Sequence, residues 1–383
     1  MADIILKDRD GTDIEYSGVS TVRLLSEDGS FADFTEKESG SGNFGAVSKA
    51  INFYDIYGNI IHSYTRAEMA ELTELPEAPE VPGYVFERWS WSLAELQTCS
   101  AFADVGAMYK KEGANVTALL VVNVDEGLTL PVYFGSSSPM SIQIDWGDGT
   151  TSSTTITGTT ATSNNRSLSH KYSIKGTVII GISGTYSGSY TRGTLYLGNY
   201  TSSNRSSRYG VIGGTATGFN YRLLAVATST KVCMAAGCFY QDYKLRYLCI
   251  ASGAYEYYSP YQCYALETFA CHVVNFYTNR FYQCYALKRL SCGNNMTTNV
   301  LAYNYGMTDL LFKGSYAPNM GTLYMTNLIL TSTAVLDRGS TSLVTNNGLR
   351  IYVNDDMVET YKANSKWSTY AAYIHPLSEY PDY

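Results

Sequence analysis

The heptapeptide Phe239-Tyr240-Gln241-Asp242-Tyr243-Lys244-Leu245 returns as Pro260-Tyr261-Gln262-Cys263-Tyr264-Ala265-Leu266 and again as Phe281-Tyr282-Gln283-Cys284-Tyr285-Ala286-Leu287, 21 residues apart at each step. A weaker copy, Leu301-Ala302-Tyr303-Asn304-Tyr305-Gly306-Met307, follows 20 residues later, and Thr217 to Leu223 reads as an earlier one. Each copy runs into a short apolar strand: Leu248-Cys249-Ile250, Phe269-Ala270-Cys271, Leu290-Ser291-Cys292 and Leu310-Leu311-Phe312. A unit this short cannot bury its apolar face alone, so the repetition predicts a stack of at least five coils. If Phe239, Asp242 and Leu245 face inward at three-residue spacing, Tyr243, Tyr264, Tyr285 and Tyr305 form one outward ladder, and Tyr240, Tyr261 and Tyr282 a second.

The F-x-x-C-x-x-L unit with its following strand resembles the BspA-like class of bacterial leucine-rich repeats over roughly residues 215 to 335. Pro260 departs from the aromatic of that pattern, and Asp242 and Asn304 depart from its cysteine, which leaves the register of single coils open. Leu349 to Val353, Asp355 to Lys362, Trp367 and Ile374 to Leu377 look like the strand-and-helix cap that such an array needs over its last coil. Cys263 and Cys284 fall on neighbouring coils at an inner position. Small buried thiols are the usual occupants of such sites, with a disulfide as the alternative.

Upstream, Leu119 to Val124, Ser141 to Trp146 and Thr177 to Ile182 read as strands whose apolar faces two sheets would bury. The turn Asp145-Trp146-Gly147-Asp148-Gly149-Thr150, with His170-Lys171-Tyr172 and Gly176-Thr177-Val178 after it, resembles the polycystic-kidney-disease (PKD) type of immunoglobulin-like sandwich. Asp145 and Asp148 sit on a glycine turn, where carboxylates accept backbone N–H bonds; the competing readings are metal binding and acid–base work.

The segment before this pairs Ile51 to Asp55 with Ile60 to Tyr64 across Tyr57-Gly58-Asn59. Thr65 with Glu68 and Ser92 with Glu95 spell two capping boxes, and Pro76, Pro79 and Pro82 end the first helix, Arg66 to Leu72. Val105 to Tyr109 closes the unit as a strand. The runs Tyr64 to Glu68 and Trp89 to Leu93 resemble small α/β modules of phage and prophage structural proteins of gut bacteria. Residues 1 to 38 alternate apolar and polar around Asp8-Arg9-Asp10-Gly11, and Glu38 to Asn43 is a linker. Gly40 to Gly45 spells G-x-G-x-x-G, but no strand precedes it and no apolar helix follows, so it reads as a hinge.

Charged residues make up 16% of the 383, below the roughly 25% of ordinary domains. Tyrosine, serine, glycine and asparagine favour strands and turns. A net charge of −7 argues against nucleic acid and anionic lipid as partners. The N-terminus lacks a secretory signal, no apolar run is long enough for a membrane span, and the C-terminus carries no sorting signal, so synthesis in a cytosol without membrane insertion is expected. N-x-S/T sequons at Asn115, Asn165, Asn199, Asn204 and Asn295 read as chance. Seven of the eight cysteines lie between Cys233 and Cys292 at repeat spacing, without the tight pairs of a zinc site. Four histidines, His62, His170, His272 and His375, are scattered, with no H-E-x-x-H or G-x-S-x-G. His272 beside Cys271 would point to the opposite face of a strand. No enzyme, cofactor or metal is expected.

The reading is therefore a mostly β, multidomain chain: residues 1–45 an N-terminal β attachment region and linker, 46–115 a small α/β module, 116–185 a PKD-like β-sandwich, 186–345 a leucine-rich-repeat-like solenoid, and 346–383 a strand-helix cap. The modules together resemble a bacteriophage or prophage virion protein, of a tail-fibre, receptor-binding or decoration kind. That resemblance implies attachment to other virion proteins through the N-terminal region, assembly in the host cytoplasm into the virion, and a homo-oligomer, trimeric as in many fibres although no heptads enforce it. It also implies contact with a host surface glycan, protein or mucus. Tyr240, Tyr243, Tyr261, Tyr264, Tyr282, Tyr285 and Tyr305 are the candidate ligand-binding residues, because tyrosine gives stiff contact area with a polar tip and 35 tyrosines outnumber 13 phenylalanines. Tyr, Asn, Ser and Arg between 186 and 305 also suit a diversified surface. The rival readings are a bacterial surface adhesin, which would need an export signal or anchor, and a structural virion component whose ladders only shield the coils.

Overall fold

Alternating and continuous apolar runs give this chain many short strands and little else: it is a mostly β protein with several sheets and few helices. The computed structural model describes residues 4–7, 13–16, 22–25 and 31–34, and residues 49–381 other than 137, 158–165, 187–194, 199–209, 215, 236, 251–259, 271–272, 277–280, 297–299, 315–321 and 346–347. The turn at 8–11, the glycines at 40–45, Cys271 with His272, and the sequons at Asn165, Asn199 and Asn204 lie outside the described residues. The chain divides into two units, Met1–Val47 and Ser48–Tyr383. In the first, Ile4–Lys7 pairs antiparallel with Asp13–Tyr16, and Val22–Leu25 with Phe31–Phe34.

The second unit begins with a four-stranded sheet in the order Ile60–Tyr64, Ile51–Tyr54, Ala103–Lys110, Val85–Trp89. Its first turn is held by Asp55, whose Oδ1 accepts the N–H groups of Tyr57 at 2.8 Å and Asn59 at 2.9 Å, while Gly58 takes φ +86°. Both capping boxes are made: Thr65 and Glu68 start helix Arg66–Ala70, and Ser92 and Glu95 start Leu93–Gln97. The first helix ends at Ala70, short of the expected Leu72.

Strand Val116–Val124 organises the rest, and its continuous apolar run is explained by burial on both faces. Val116, Ala118, Leu120, Val122 and Val124 enter the largest core; Leu119 and Val121 enter a second core with Phe53, Val105 and Ala107 of the preceding module. The strand pairs antiparallel with Gly176–Thr185 on one side and Leu223–Thr228 on the other. A seven-stranded sheet results, in the order Thr151–Ile156, Met140–Asp145, Gly176–Thr185, Val116–Val124, Leu223–Thr228, Tyr247–Cys249, Thr268–Phe269. A separate four-stranded sheet of Arg166–Lys171, Thr129–Ser136, Leu195–Leu197 and Val232–Met234 contributes Leu130, Val132 and Phe134 to the same core.

From Leu223 onward all pairings along the repeats are parallel. Ala225 faces Tyr247, Tyr247 faces Thr268, Arg289 faces Asp309, Asp309 faces Asn327, and Asn327 faces Arg350. Among the described residues a run of backbone bonds links successive segments: Arg246 N–H to Leu224 O, Glu267 to Arg246, Lys288 to Glu267, Thr308 to Lys288, Thr326 to Thr308, and Arg350 to Thr326, at 2.7–3.4 Å. Sheet and core therefore pass without a break across residues 185 and 186. Arg350–Val353 pairs in turn with Ile374–Pro376, with helix Val358–Ala363 between them in sequence; Tyr361 and Trp367 are buried, and Trp367 Nε1 donates to Leu336 O at 2.8 Å.

The 51–110 module lies against the outer face of this sheet. Gly106 makes the approach possible, since a Cβ there would collide with Cys249 Sγ and stand 2.6 Å from Tyr247 Oη. Across the same seam Arg289 ion-pairs with Asp104 and donates to Lys49 O at 2.9 Å, and Tyr54 Oη donates to Asp104 at 2.9 Å. Further along, Arg66 donates to Ser100 O and to Tyr380 O, each at 2.8 Å, so the module also reaches the last turn of the chain.

Candidate functional site

In each repeat the first, fourth and seventh positions point inward. Phe239, Leu245, Cys263, Leu266, Phe281, Cys284 and Leu287 are fully buried, and Asp242, Leu301, Asn304 and Met307 nearly so. Cys263 and Cys284 are free thiols, and Cys263 Sγ donates to Phe239 O at 3.0 Å. Asp242 takes the place of that cysteine one coil earlier. Its Oδ2 is buried without a hydrogen-bond partner, and desolvation holds its carboxyl well above the usual carboxylate range.

The third position of each copy adopts a left-handed backbone: φ is +61° at Gln241, +55° at Gln262, +55° at Gln283 and +64° at Tyr303. A side chain in that region costs about 1 kcal/mol. Here the conformation turns each N–H onto the next coil: Gln241 donates to Tyr261 O, Gln262 to Tyr282 O, and Gln283 to Ala302 O, at 2.8–3.1 Å. The same geometry stacks the amides, with Gln241 Nε2 donating to Gln262 Oε1 at 2.8 Å and Gln262 Nε2 to Gln283 Oε1 at 2.6 Å.

On either side of these glutamines run two tyrosine ladders. Tyr240, Tyr261 and Tyr282 stack at 4.9 Å with ring planes within 10°. Tyr243, Tyr264 and Tyr285 stack at 5.1 Å within 17°, and Tyr305 continues them at 5.8 Å. All seven tyrosines singled out from the sequence thus fall in one surface, together with three that the repeat reading passed over. Tyr221 tilts onto Tyr243, Tyr303 meets Tyr282 edge-on, and Tyr324 meets Tyr305 edge-on. Tyr221 occupies the position of Tyr243 in the earliest copy, so alignment alone could have found it; Tyr303 stands where glutamine is expected. Tyr264 and Tyr285 are each 37% exposed and Tyr305 54%. Burial, then the neighbouring phenols Tyr243 and Tyr285, raise the Tyr264 pKa above its ordinary value; burial and Tyr324 raise that of Tyr305.

Other chemistry-bearing groups are engaged in structure. Asp145 Oδ1 accepts Gly147 N–H and Asp148 Oδ1 accepts Thr150 N–H, both at 3.0 Å, and His170 Nε2 lies 2.6 Å from Asp148 Oδ2 while stacking on Trp146. A groove of about 510 Å³ runs beside Tyr54, Asp104, Lys288, Arg289, Thr308 and Asp309. Its buried acids are already partnered, Asp104 by Arg289 and Tyr54, Asp309 by Asn327 and Tyr380. Among the described residues no three His, Cys, Asp or Glu side chains are grouped to hold a metal, and no helix is long and apolar enough to cross a membrane. In comparisons with known proteins, no family model, no curated protein and no solved structure matches this chain.

Proposed function

We propose that the chain is a surface protein of a bacteriophage or prophage virion, of the receptor-binding, fibre or decoration kind, which adheres to the host cell through its tyrosine ladders. In this reading the parallel strands are a leucine-rich-repeat-like solenoid with a strand-helix cap, the antiparallel sheets before them a PKD-type sandwich, and the N-terminal region, residues 1–45, the attachment to other virion proteins. The observation that carries it is the double ladder itself. Seven stacked tyrosines, three of them over a third exposed, form an ordered aromatic surface on rigid coils, and such preordered contact area loses little entropy on binding.

The test is whole-cell binding by the full chain against a version carrying Tyr243→Ser, Tyr264→Ser and Tyr285→Ser. The full chain is the reagent because a fragment from 186 onward would lose Val116–Val124, to which Leu223–Thr228 is paired. Binding that vanishes in the serine version, with the circular dichroism spectrum unchanged, supports adhesion through the ladders. Equal binding by both versions, or none by the unaltered chain to any candidate host, refutes it.

A further inference from the structure

Stacking decides which part of each ring a ligand can reach. Tyr261 has ring neighbours on both faces, as do Tyr264 and Tyr285, at 4.9–5.8 Å. A ligand ring cannot lie flat on a face that is already covered. What a stacked phenol leaves to solvent is its rim and its hydroxyl, so this surface is a row of polar tips repeating once per coil, with the glutamine amides between the two rows.

That row has a fixed period and little charge. In the repeats at 239–245, 260–266 and 281–287 the charged residues are Asp242, which is buried, and Lys244 at one end. A partner that matches it is neutral, rich in hydroxyls, and repeats at about the coil spacing. An extended polypeptide fails the second and third conditions: its same-face side chains recur about every 6.6 Å, so against rungs 4.9–5.1 Å apart it falls out of step by about a full rung over three coils. An extended chain of β-1,4-linked pyranose rings meets all three: its ring-to-ring repeat is close to the spacing of stacked strands, so each rung meets a ring edge with its hydroxyls, and because successive rings are turned over the same face returns in step at every second rung. We infer that the ladders bind a neutral, extended 1,4-linked glycan lying along the coil axis, one sugar per rung, held by hydrogen bonds to tyrosine and glutamine tips and not by stacking on ring faces.

This inference rests on the adhesion reading above, and its test separates the two. Calorimetric titration of the full chain would use neutral β-1,4-linked oligosaccharides (cello-, xylo- and manno-oligomers) of increasing length, beside a 1,6-linked series whose flexible linkage cannot keep the period. The expected result is affinity for a 1,4-linked series that rises about threefold to tenfold per added ring until the rungs from Tyr243 to Tyr305 are covered, then levels off. Tyr264→Phe and Tyr285→Phe keep the stack and remove one hydroxyl each, and each should weaken binding by a similar factor. Affinity that does not grow with length, phenylalanine versions that bind like the parent, or equal affinity for the 1,6-linked series would overturn the commensurate mode. Cell binding without oligosaccharide binding, surviving enzymatic removal of surface glycans, would overturn it in favour of a protein receptor and leave the adhesion reading standing. Absence of both kinds of binding would end both.

Discussion

Replacing Asp242 by the cysteine that the next two coils carry should make the protein more stable at neutral pH, by an amount that depends on pH in a defined direction. Asp and Cys are close in volume, and the site already hosts a thiol at Cys263 and Cys284, so Asp242→Cys opens little cavity and adds little strain. What it removes is a carboxyl whose Oδ2 is buried without a partner. An unsatisfied buried polar atom costs about 1–3 kcal/mol whether or not the carboxyl is protonated, so that much of the gain is expected at every pH. The sign with pH follows from the raised pKa. Below the unfolded value near 3.8 the group is protonated in both states and contributes no pH dependence. Above it the folded state holds a proton that the unfolded state has released, so stability of the natural chain falls as pH rises, by at most about 1.4 kcal/mol per pH unit, until the folded pKa is reached. Urea melts of both proteins from pH 3.5 to 8, with reductant present, read this directly. The two curves should lie closest at the acid end, still about 1–3 kcal/mol apart, and separate further toward neutrality with the cysteine version above. A difference that is constant with pH would show that the carboxyl is not held protonated in the folded state, and a cysteine version that is less stable at pH 7 would show that Oδ2 is satisfied; either result refutes the expectation.

Four further outcomes follow from the geometry. Arg289→Met leaves Asp104 buried without its cation and should cost about 3–5 kcal/mol in denaturant melts, whereas adding Asp104→Leu to it should recover part of that loss. Gly106→Ala drives a methyl into Cys249 and should destabilise by about 1–3 kcal/mol, with faster exchange of the amides in Ile51–Tyr54 and Ala103–Lys110. Because burial and neighbouring phenols raise the pKa values of Tyr264, Tyr282 and Tyr305, part of the phenolate absorbance should appear at higher pH than in the unfolded chain, and stability should fall as pH rises above about 10. At the turn, burial acts to raise the Asp148 pKa but hydrogen bonds from Thr150 and His170 outweigh it, so Asp148→Asn should reduce stability at pH 7 and remove a contribution that the natural chain loses as pH falls below about 4.

The repeat was legible because a three-residue inward spacing leaves its mark on composition: Phe or Leu, then a small group, then Leu or Met, with tyrosine between. Capping boxes were legible for the same local reason, since Thr65 with Glu68 and Ser92 with Glu95 satisfy bonds within one turn. Long-range closure left no such mark. Arg289 reads in sequence as one more charge beside Lys288, yet it is the cation under the 51–110 module, and Asp104 sits in an apolar run that gives no sign of its partner. Gly106 falls inside the strand read from Val105 to Tyr109, and nothing in that run marks it as a point of contact between layers. The sequence also placed the tyrosines on the surface without telling whether their faces or their rims would be free, because that depends on coil spacing and on the left-handed turn at Gln241, Gln262 and Gln283.

The reach of Arg66 to the carbonyl of Tyr380 joins positions 314 residues apart. Contacts of that separation form late, because chain entropy opposes them until the intervening strands are in place. During synthesis the apolar face carrying Phe53, Val105 and Ala107 emerges well before Ala225, Tyr247 and Ala270, which cover it, have been made. The module must wait, partly uncovered, for coils not yet translated, so refolding of this unit should be slow and concentration-sensitive, with the docking of residues 51–110 as its closing step.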